Sequence, residues 1–327
     1  MFKLFAACAV LFGFNAHVNA EDNGLKFLVM GDWGGDEHAP FTTDQEIETS
    51  KGMALVGKQL DINYALALGD NFYHYGVTNL SDPRFNTTFE NVFAEPWLGD
   101  NFTFHVIAGN HDHNGNVTAQ VLYSNISKHW SFPNFYYDFV RELDGVSVHF
   151  VMLDTVIISG SSHGINKDVT VDLKGDQLPG PADPLAADSQ LEWLEATLKA
   201  STADYIIVNG HYPLYSICQH GPSKGIIDML PPLFKQYNVS AFLNGHDHCA
   251  QHIDVGDYTQ YHTIGSAHKS NPDDSHRDTI TPDQLKFYTG TGFGGFASVA
   301  ADQDGLVITH RDGNGKVLYV ADAILSR

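Results

Sequence analysis

The stretch Ala241-Phe-Leu-Asn-Gly-His-Asp-His-Cys249, AFLNGHDHC, carries an apolar run into a glycine and then sets two histidines two residues apart. A short apolar run closed by glycine reads as a buried strand, and an extended backbone beyond it sends alternate side chains the same way. His246 and His248 therefore reach toward one place while Asp247 points elsewhere. That is either a metal clamp or a polar turn that holds two imidazoles by chance, and the fragment by itself leaves both open.

The same construction recurs along the chain. Lys26–Met30, Tyr64–Leu68, Phe104–Ala108, Val148–Leu153, Tyr205–Val208 and Val239–Leu243 are apolar, partly β-branched or aromatic, and each is closed by glycine or a polar residue. Runs of this length and composition predict strands. Between them a helix is expected from a cap at Asp44 to about Leu60, and another behind a Ser189 cap, with Leu191, Leu194 and Leu198 on one face. From about Gln260 the segments FASVA, GLVITH and KVLYVA read as further strands. The pattern predicts an α/β fold, two sheets packed together with helices outside.

With 327 residues and 43% hydrophobic content the chain can bury a sizeable core. A formal charge of −21 disfavours nucleic acid and anionic membranes as partners. An anionic substrate would then need local positive charge, which a bound metal supplies compactly. Residues 1–20, MFKLFAACAVLFGFNAHVNA, place Lys3 before an apolar stretch and Val-Asn-Ala before Glu21, the pattern of a cleaved secretory signal. Its apolar run is shorter than the roughly 20 residues that span a bilayer. Six Asn-x-Ser/Thr sequons, at Asn79, Asn86, Asn101, Asn116, Asn125 and Asn238, agree with export as a glycoprotein, secreted or lysosomal. Cys218 and Cys249 remain after the leader, either as one bridge or as two buried thiols. Residues 159–188 are rich in Gly, Pro, Asp and Ser and read as a long loop, either functional or a tolerated insertion.

Five strand ends carry groups that bind metals, each directly after a glycine: Gly31-Asp32-Trp33-Gly34, Gly69-Asp70-Asn71-Phe72-Tyr73, Gly109-Asn110-His111-Asp112, Gly210-His211-Tyr212-Pro213 and Gly245-His246-Asp247-His248. In open α/β sheets ligands collect beyond the carboxyl ends of strands. One such group is an ordinary turn; five in this order point to a shared site.

The order and spacing of these groups resemble the calcineurin-like metallophosphoesterases. Two departures narrow the resemblance: Gly34 stands where that pattern has a histidine, and Tyr73 follows Asp70 by three residues, as in the purple acid phosphatases. GDWGG, GDNFY, AGNHDH with GNVTAQ, MLDT, GHYP, QHGP and GHDH resemble the small, single-domain animal type, the tartrate-resistant acid phosphatases, from about Gly24 to Leu325. The resemblance implies one catalytic domain over 21–327, an α/β/β/α sandwich of two mixed sheets, acting as a monomer. It implies a dinuclear centre: Asp32, Tyr73 and His248 on a ferric ion, Asn110, His211 and His246 on a divalent ion, and Asp70 bridging. Hard Fe(III) suits carboxylate and phenolate oxygens, and imidazoles with an amide suit Fe(II), Zn(II) or Mn(II).

The implied reaction is hydrolysis of phosphate monoesters at acidic pH by a metal-bound hydroxide, on phosphoproteins, nucleotides or small aryl and alkyl phosphates. His111, with Asp112 as partner, and His220 would line the pocket and assist the leaving alcohol, although His220 before Gly-Pro also reads as a plain loop residue. Phosphodiesterase or nucleotidase chemistry on the same metals is one alternative. An iron-binding glycoprotein with incidental catalysis is another, against which His111 and Asp112 speak. The resemblance further implies that the 159–188 loop limits activity until a protease cuts it, and that the disulfide mammalian relatives place there is missing, Ser159 and Gly225 standing at its positions. His113, His252, His262, His268 and His276 are expected in exposed or hydrogen-bonded roles, and Trp33 is either a cleft wall or packing.

Overall fold

The computed structural model describes residues 24–94, 101–161 and 185–327; the leader at 1–20 and most of the 159–188 loop lie outside the described residues. Strands β1 (Leu25–Met30), β2 (Tyr64–Ala67), β3 (Thr103–Val106) and β4 (Trp130–Ser131) build one sheet. The second holds β5 (Tyr137–Leu143), β6 (Val146–Met152), β7 (Tyr205–Asn209), β8 (Ala241–Asn244), β9 (Ala250–Ile253), β10 (Gln260–Ile264) and β11 (Leu285–Thr289). The chain then returns to the first sheet with β12 (Gly295–Ala301), β13 (Leu306–Asp312) and β14 (Val317–Val320). The strand orders are β14-β13-β12-β1-β2-β3-β4 and β11-β9-β10-β8-β7-β6-β5. The expected pair of mixed sheets is therefore present, and each run read as a strand is one.

Alternation along β1 shows why these strands carry no polar face. Phe27 and Val29 pack between the sheets with Val148, Phe150, Ile207 and Leu243. Leu28 and Met30 point to the outer side, against Met53, Val56 and the aromatic cluster of Trp33, Phe89 and Trp130. A strand buried on both faces must be apolar throughout, which is why it reads as a continuous run. Trp33 is fully buried and packs among Phe72, Phe89, Phe93 and Trp130, so of its two readings the structure gives packing.

The α-helices among the described residues are α1 (Asp44–Leu60), α2 (Asn110–His113), α3 (Val117–Tyr123), α4 (Thr155–Ser161), α5 (Leu185–Ala200) and α6 (Leu230–Tyr237), with a π-helix over Phe85–Ala94. None of the described helices is long and apolar enough to cross a membrane. The cap of α1 is Thr43 rather than Asp44: its hydroxyl accepts from the Glu46 N–H at 3.0 Å while the Glu46 carboxylate accepts from the Thr43 N–H at 3.0 Å. This reciprocal pair satisfies two donors that a helix start leaves open. Helix α5 begins at Leu185, ahead of the expected Ser189, and α4 takes in Ser159, so both ends of the long loop are helical. A Cβ built on Gly225 would stand 3.4 Å from that of Ser159, so those two positions are neighbours without cysteines.

β1, β2 and β3 are mutually parallel, as are β6, β7 and β8. Their carboxyl ends gather on one side of the sandwich, and the five polar groups gather with them.

Candidate metal centre

Close backbone contact brings the strand ends together. A Cβ on Gly31 would lie 3.1 Å from the Gly245 Cα, and one on Gly109 would lie 2.2 Å from the Asp70 Oδ1, so neither position admits a side chain. Asp32, Asp70 and His246 all take positive φ, at 55°, 52° and 69°. That region is costly for residues other than glycine, and it persists where the surroundings over-determine it, as at binding sites. Here the ties are explicit: Asp32 N–H donates to Gly69 O at 3.1 Å, His246 N–H to Asp32 Oδ2 at 2.7 Å, and His111 N–H to Asp70 Oδ1 at 3.0 Å.

All seven residues expected to ligate metals meet in one cluster of two halves. In the first, the Tyr73 hydroxyl donates to Asp32 Oδ1 at 2.9 Å and lies 3.1 Å from His248 Nε2, which is 3.5 Å from Asp32 Oδ1. In the second, Asn110 Oδ1 lies 2.9 Å from His211 Nε2 and 3.0 Å from His246 Nδ1. Asp70 Oδ2 is 3.3 Å from His211 Nε2, and Asp70, His211 and His246 present donor atoms within 4.8 Å of one another. Asp32, Asn110 and His211 are fully buried, Asp70 and Tyr73 nearly so, and His248 is partly open.

Two carboxylates and a phenol in so dry a place call for a cation. Burial would raise Asp70, but the neighbouring His211 and His111 hold its carboxyl well below the usual range. Burial, and then the charges of Asp32 and Asp70, push the Tyr73 phenol well up. Against burial, Asp70 lifts His211 to about 9, whereas burial with His220 and His211 pushes His246 down. The donor chemistry fits two ions, oxygens with one imidazole in one half and imidazoles with an amide oxygen in the other.

His111 and His220 stand at the rim. The His111 ring lies 4.7 Å from that of Tyr73 and 4.0 Å, Nε2 to Oδ2, from Asp70. Its Nδ1 is 3.0 Å from His74 O. The expected pairing with Asp112 takes another form: that carboxylate accepts from the N–H groups of Gly109 and Asn71 and from Gln120 Nε2, fixing the backbone under His111. Burial, with Asp70 nearby, pushes Asp112 up to about 6. The His220 ring lies 4.4 Å from that of His246, and the His220 backbone N–H donates to Asp247 Oδ1 at 2.8 Å. Cys218 and Cys249 are bonded to each other, the first of their two readings.

Several contacts around the site have partners that nothing in the sequence announces, among them those that give His113 and His276 their expected hydrogen-bonded roles. Buried Arg84 donates to the carbonyls of Tyr73 and Gly34, tying two site turns together. His113 Nε2 is 2.7 Å from Asp154 Oδ2 at the end of β6. His276 Nδ1 is 2.7 Å from Cys218 O. His268 is buried, stacks on Tyr73 with centroids 4.2 Å apart and lies beside the Gly35 backbone. Each depends on a contact distant in sequence. The Gln120 link was within reach, since GNVTAQ lay inside a quoted motif.

Comparison with known proteins agrees with this geometry. The chain is 39% identical over 299 residues to human tartrate-resistant acid phosphatase type 5, covering 90% of this chain and 89% of that one. It is 30% identical to purple acid phosphatase 4 of Arabidopsis thaliana, over 94% and 85% of the two chains. Among solved structures, GAP50, the anchor in the inner membrane complex of Plasmodium, has the same fold, with a TM-score of 0.75 at 22% identity over 94% of this chain and 90% of that one. Residues 25–250 match the calcineurin-like phosphoesterase family, and with five glycine-led strand ends converging on one buried donor cluster, the chain belongs to that family.

Proposed function

We propose that the chain is a metal-dependent acid phosphatase that hydrolyses phosphate monoesters at a dinuclear Fe(III)–M(II) centre. The observation that carries this reading is the split of one buried cluster into an Asp32–Tyr73–His248 half and an Asn110–His211–His246 half, with Asp70 reaching the second and hydrogen-bonded to the His111 backbone. Identity of 39% to an acid phosphatase over nine-tenths of the chain supports it. Two ions held there would supply Lewis acidity toward the phosphate and a water of lowered pKa.

The chain's own residues do the rest. Tyr73, Asp32 and His248 favour the ferric ion, and Asn110, His211 and His246 the divalent one, Fe(II), Zn(II) or Mn(II). His111 and His220 border the cluster, placed to hold the substrate and to give a proton to the leaving alkoxide. All six sequon asparagines are exposed, which supports export as a glycoprotein to the secretory pathway, secreted or lysosomal. The protein acts as a monomer, and a protease cutting within 159–188 raises its turnover.

Purified protein tests the reading through its absorption spectrum, metal content and substrate preference. The expected result is a visible tyrosinate-to-iron band that disappears in Tyr73→Phe, with p-nitrophenyl phosphate cleaved at acidic pH far faster than bis-p-nitrophenyl phosphate. A colourless, iron-free but active protein would overturn the ferric assignment, and preference for the diester would overturn the monoesterase reading.

A further inference from the structure

The segment that carries His220 is fastened to the β8–β9 corner at every turn. The Ser216 hydroxyl and the His220 N–H donate to the two oxygens of Asp247, the residue between the ligand candidates His246 and His248. Gln251 on β9 donates to Ser216 Oγ at 2.8 Å and accepts from the Ile217 N–H at 3.2 Å. Cys218, two residues before His220, is covalently joined to Cys249, one residue after His248. Ser216, Asp247, Gln251 and both cysteines are buried. Asp247 thus accepts one bond from the loop on each carboxylate oxygen.

A proton donor on a loop works only while its ring stays within bonding reach of the leaving oxygen, and misplacement by about 1 Å can cost roughly a hundredfold in rate. We propose that Asp247 and the Cys218–Cys249 bridge form a strap whose function is to position His220, so that protonation of the leaving group depends on it. The inference rests on His220 being the group that serves the leaving alkoxide.

The test compares His220→Ala, the paired Cys218→Ser/Cys249→Ser variant and Ser216→Ala on p-nitrophenyl, phenyl and ethyl phosphate, with metal content measured throughout. Good leaving groups need little protonation and poor ones need it most. All three variants are expected to retain both metals and to lose kcat roughly 10–100-fold more on ethyl than on p-nitrophenyl phosphate. Ser216→Ala, which leaves the bridge intact, decides the matter should the cysteine variant not fold. Strap variants with the wild-type ratio between substrates, or with an equal loss on all three, overturn the strap while a selective His220→Ala leaves the role of His220 standing. A His220→Ala variant without leaving-group dependence overturns both.

Discussion

Arg84 shows how one side chain can hold a site together without touching it. Its guanidinium lies 5.5 Å from the Phe72 ring centroid and 5.7 Å from that of Phe41, and it donates to the carbonyls of Gly34 and Tyr73, one from each turn that feeds the first half of the cluster. Burial lowers its pKa, offset in part by Glu46. A planar fork can serve two acceptors at once, whereas an ammonium on a longer, looser stem cannot match that geometry. Arg84→Lys should therefore keep the charge opposite Glu46 but lose at least one charged hydrogen bond, worth about 1.5–3 kcal/mol. The expected outcome is a lower Tm and faster loss of iron to a chelator, with Tyr73 intact. An unchanged Tm with unchanged iron retention would show that the two carbonyl bonds contribute nothing.

Among the elements, Asp154 just past β6 joins helices α4 and α5 to the site. Its Oδ1 accepts from the Ile157 N–H at the start of α4, its Oδ2 faces His113, and its peptide N–H and C=O are both paired with the side-chain amide of Gln190 on α5. The helices on either side of the loop are thus fixed to one residue, itself bonded two positions past His111. Gln190→Leu should strand the buried Asp154 N–H, at about 1–3 kcal/mol, while the Asp154 C=O keeps the Ile158 N–H, and so lower Tm measurably; a Tm equal to the wild type would mean that water replaces the amide. How much of this could be read in advance follows from range. The strands β1, β2, β3, β6, β7 and β8 were legible because burial on both faces leaves mostly apolar runs, broken only singly as by His105 and His149, and the ligand candidates because each follows such a run and a glycine. The α1 cap was legible too, since Thr43 and Glu46 stand three apart, but Asp44 fits the same role and drew the reading. β5 hid because it is mostly exposed and Asp138, Arg141 and Glu142 break its apolar residues, and β9 because a buried Gln251 and His252 interrupt it. The Asp154–Gln190 and Asp247–Ser216 links hid because nothing near either partner in sequence announces the other.

Across the whole molecule, the two sheets meet at a seam of histidines outside the metal-binding motifs. His252 on β9 and His262 on β10 belong to one sheet and His310 on β13 to the other; all three are buried. His262 Nδ1 lies 3.0 Å from His310 Nε2, the His252 ring stacks on His262 at 4.1 Å, and His252 Nδ1 is 3.0 Å from the Tyr319 hydroxyl. Gln260 faces His262 and Phe287 faces His310, while Asp254, Lys286 and Asp322 are the charged groups around His252. Burial pushes His252 down to about 4 and His310 to about 3 from an ordinary 6.5, and pushes His262 well down. The folded seam is therefore neutral where the unfolded chain already binds protons. The seam's contribution to stability is full above about pH 6.5 and falls as pH drops toward 4 and 3, where the folded histidines at last accept protons. His252→Phe keeps a ring on His262 but removes one titration. It should unfold more easily at pH 7, having lost the Tyr319 bond, yet lose about 2–3 kcal/mol less than the wild type on going to pH 4.5. Thermal melts of both proteins at the two pH values measure this difference, in which titrations at the metal cluster, common to both, cancel. Equal losses would place the acid sensitivity elsewhere than in the seam.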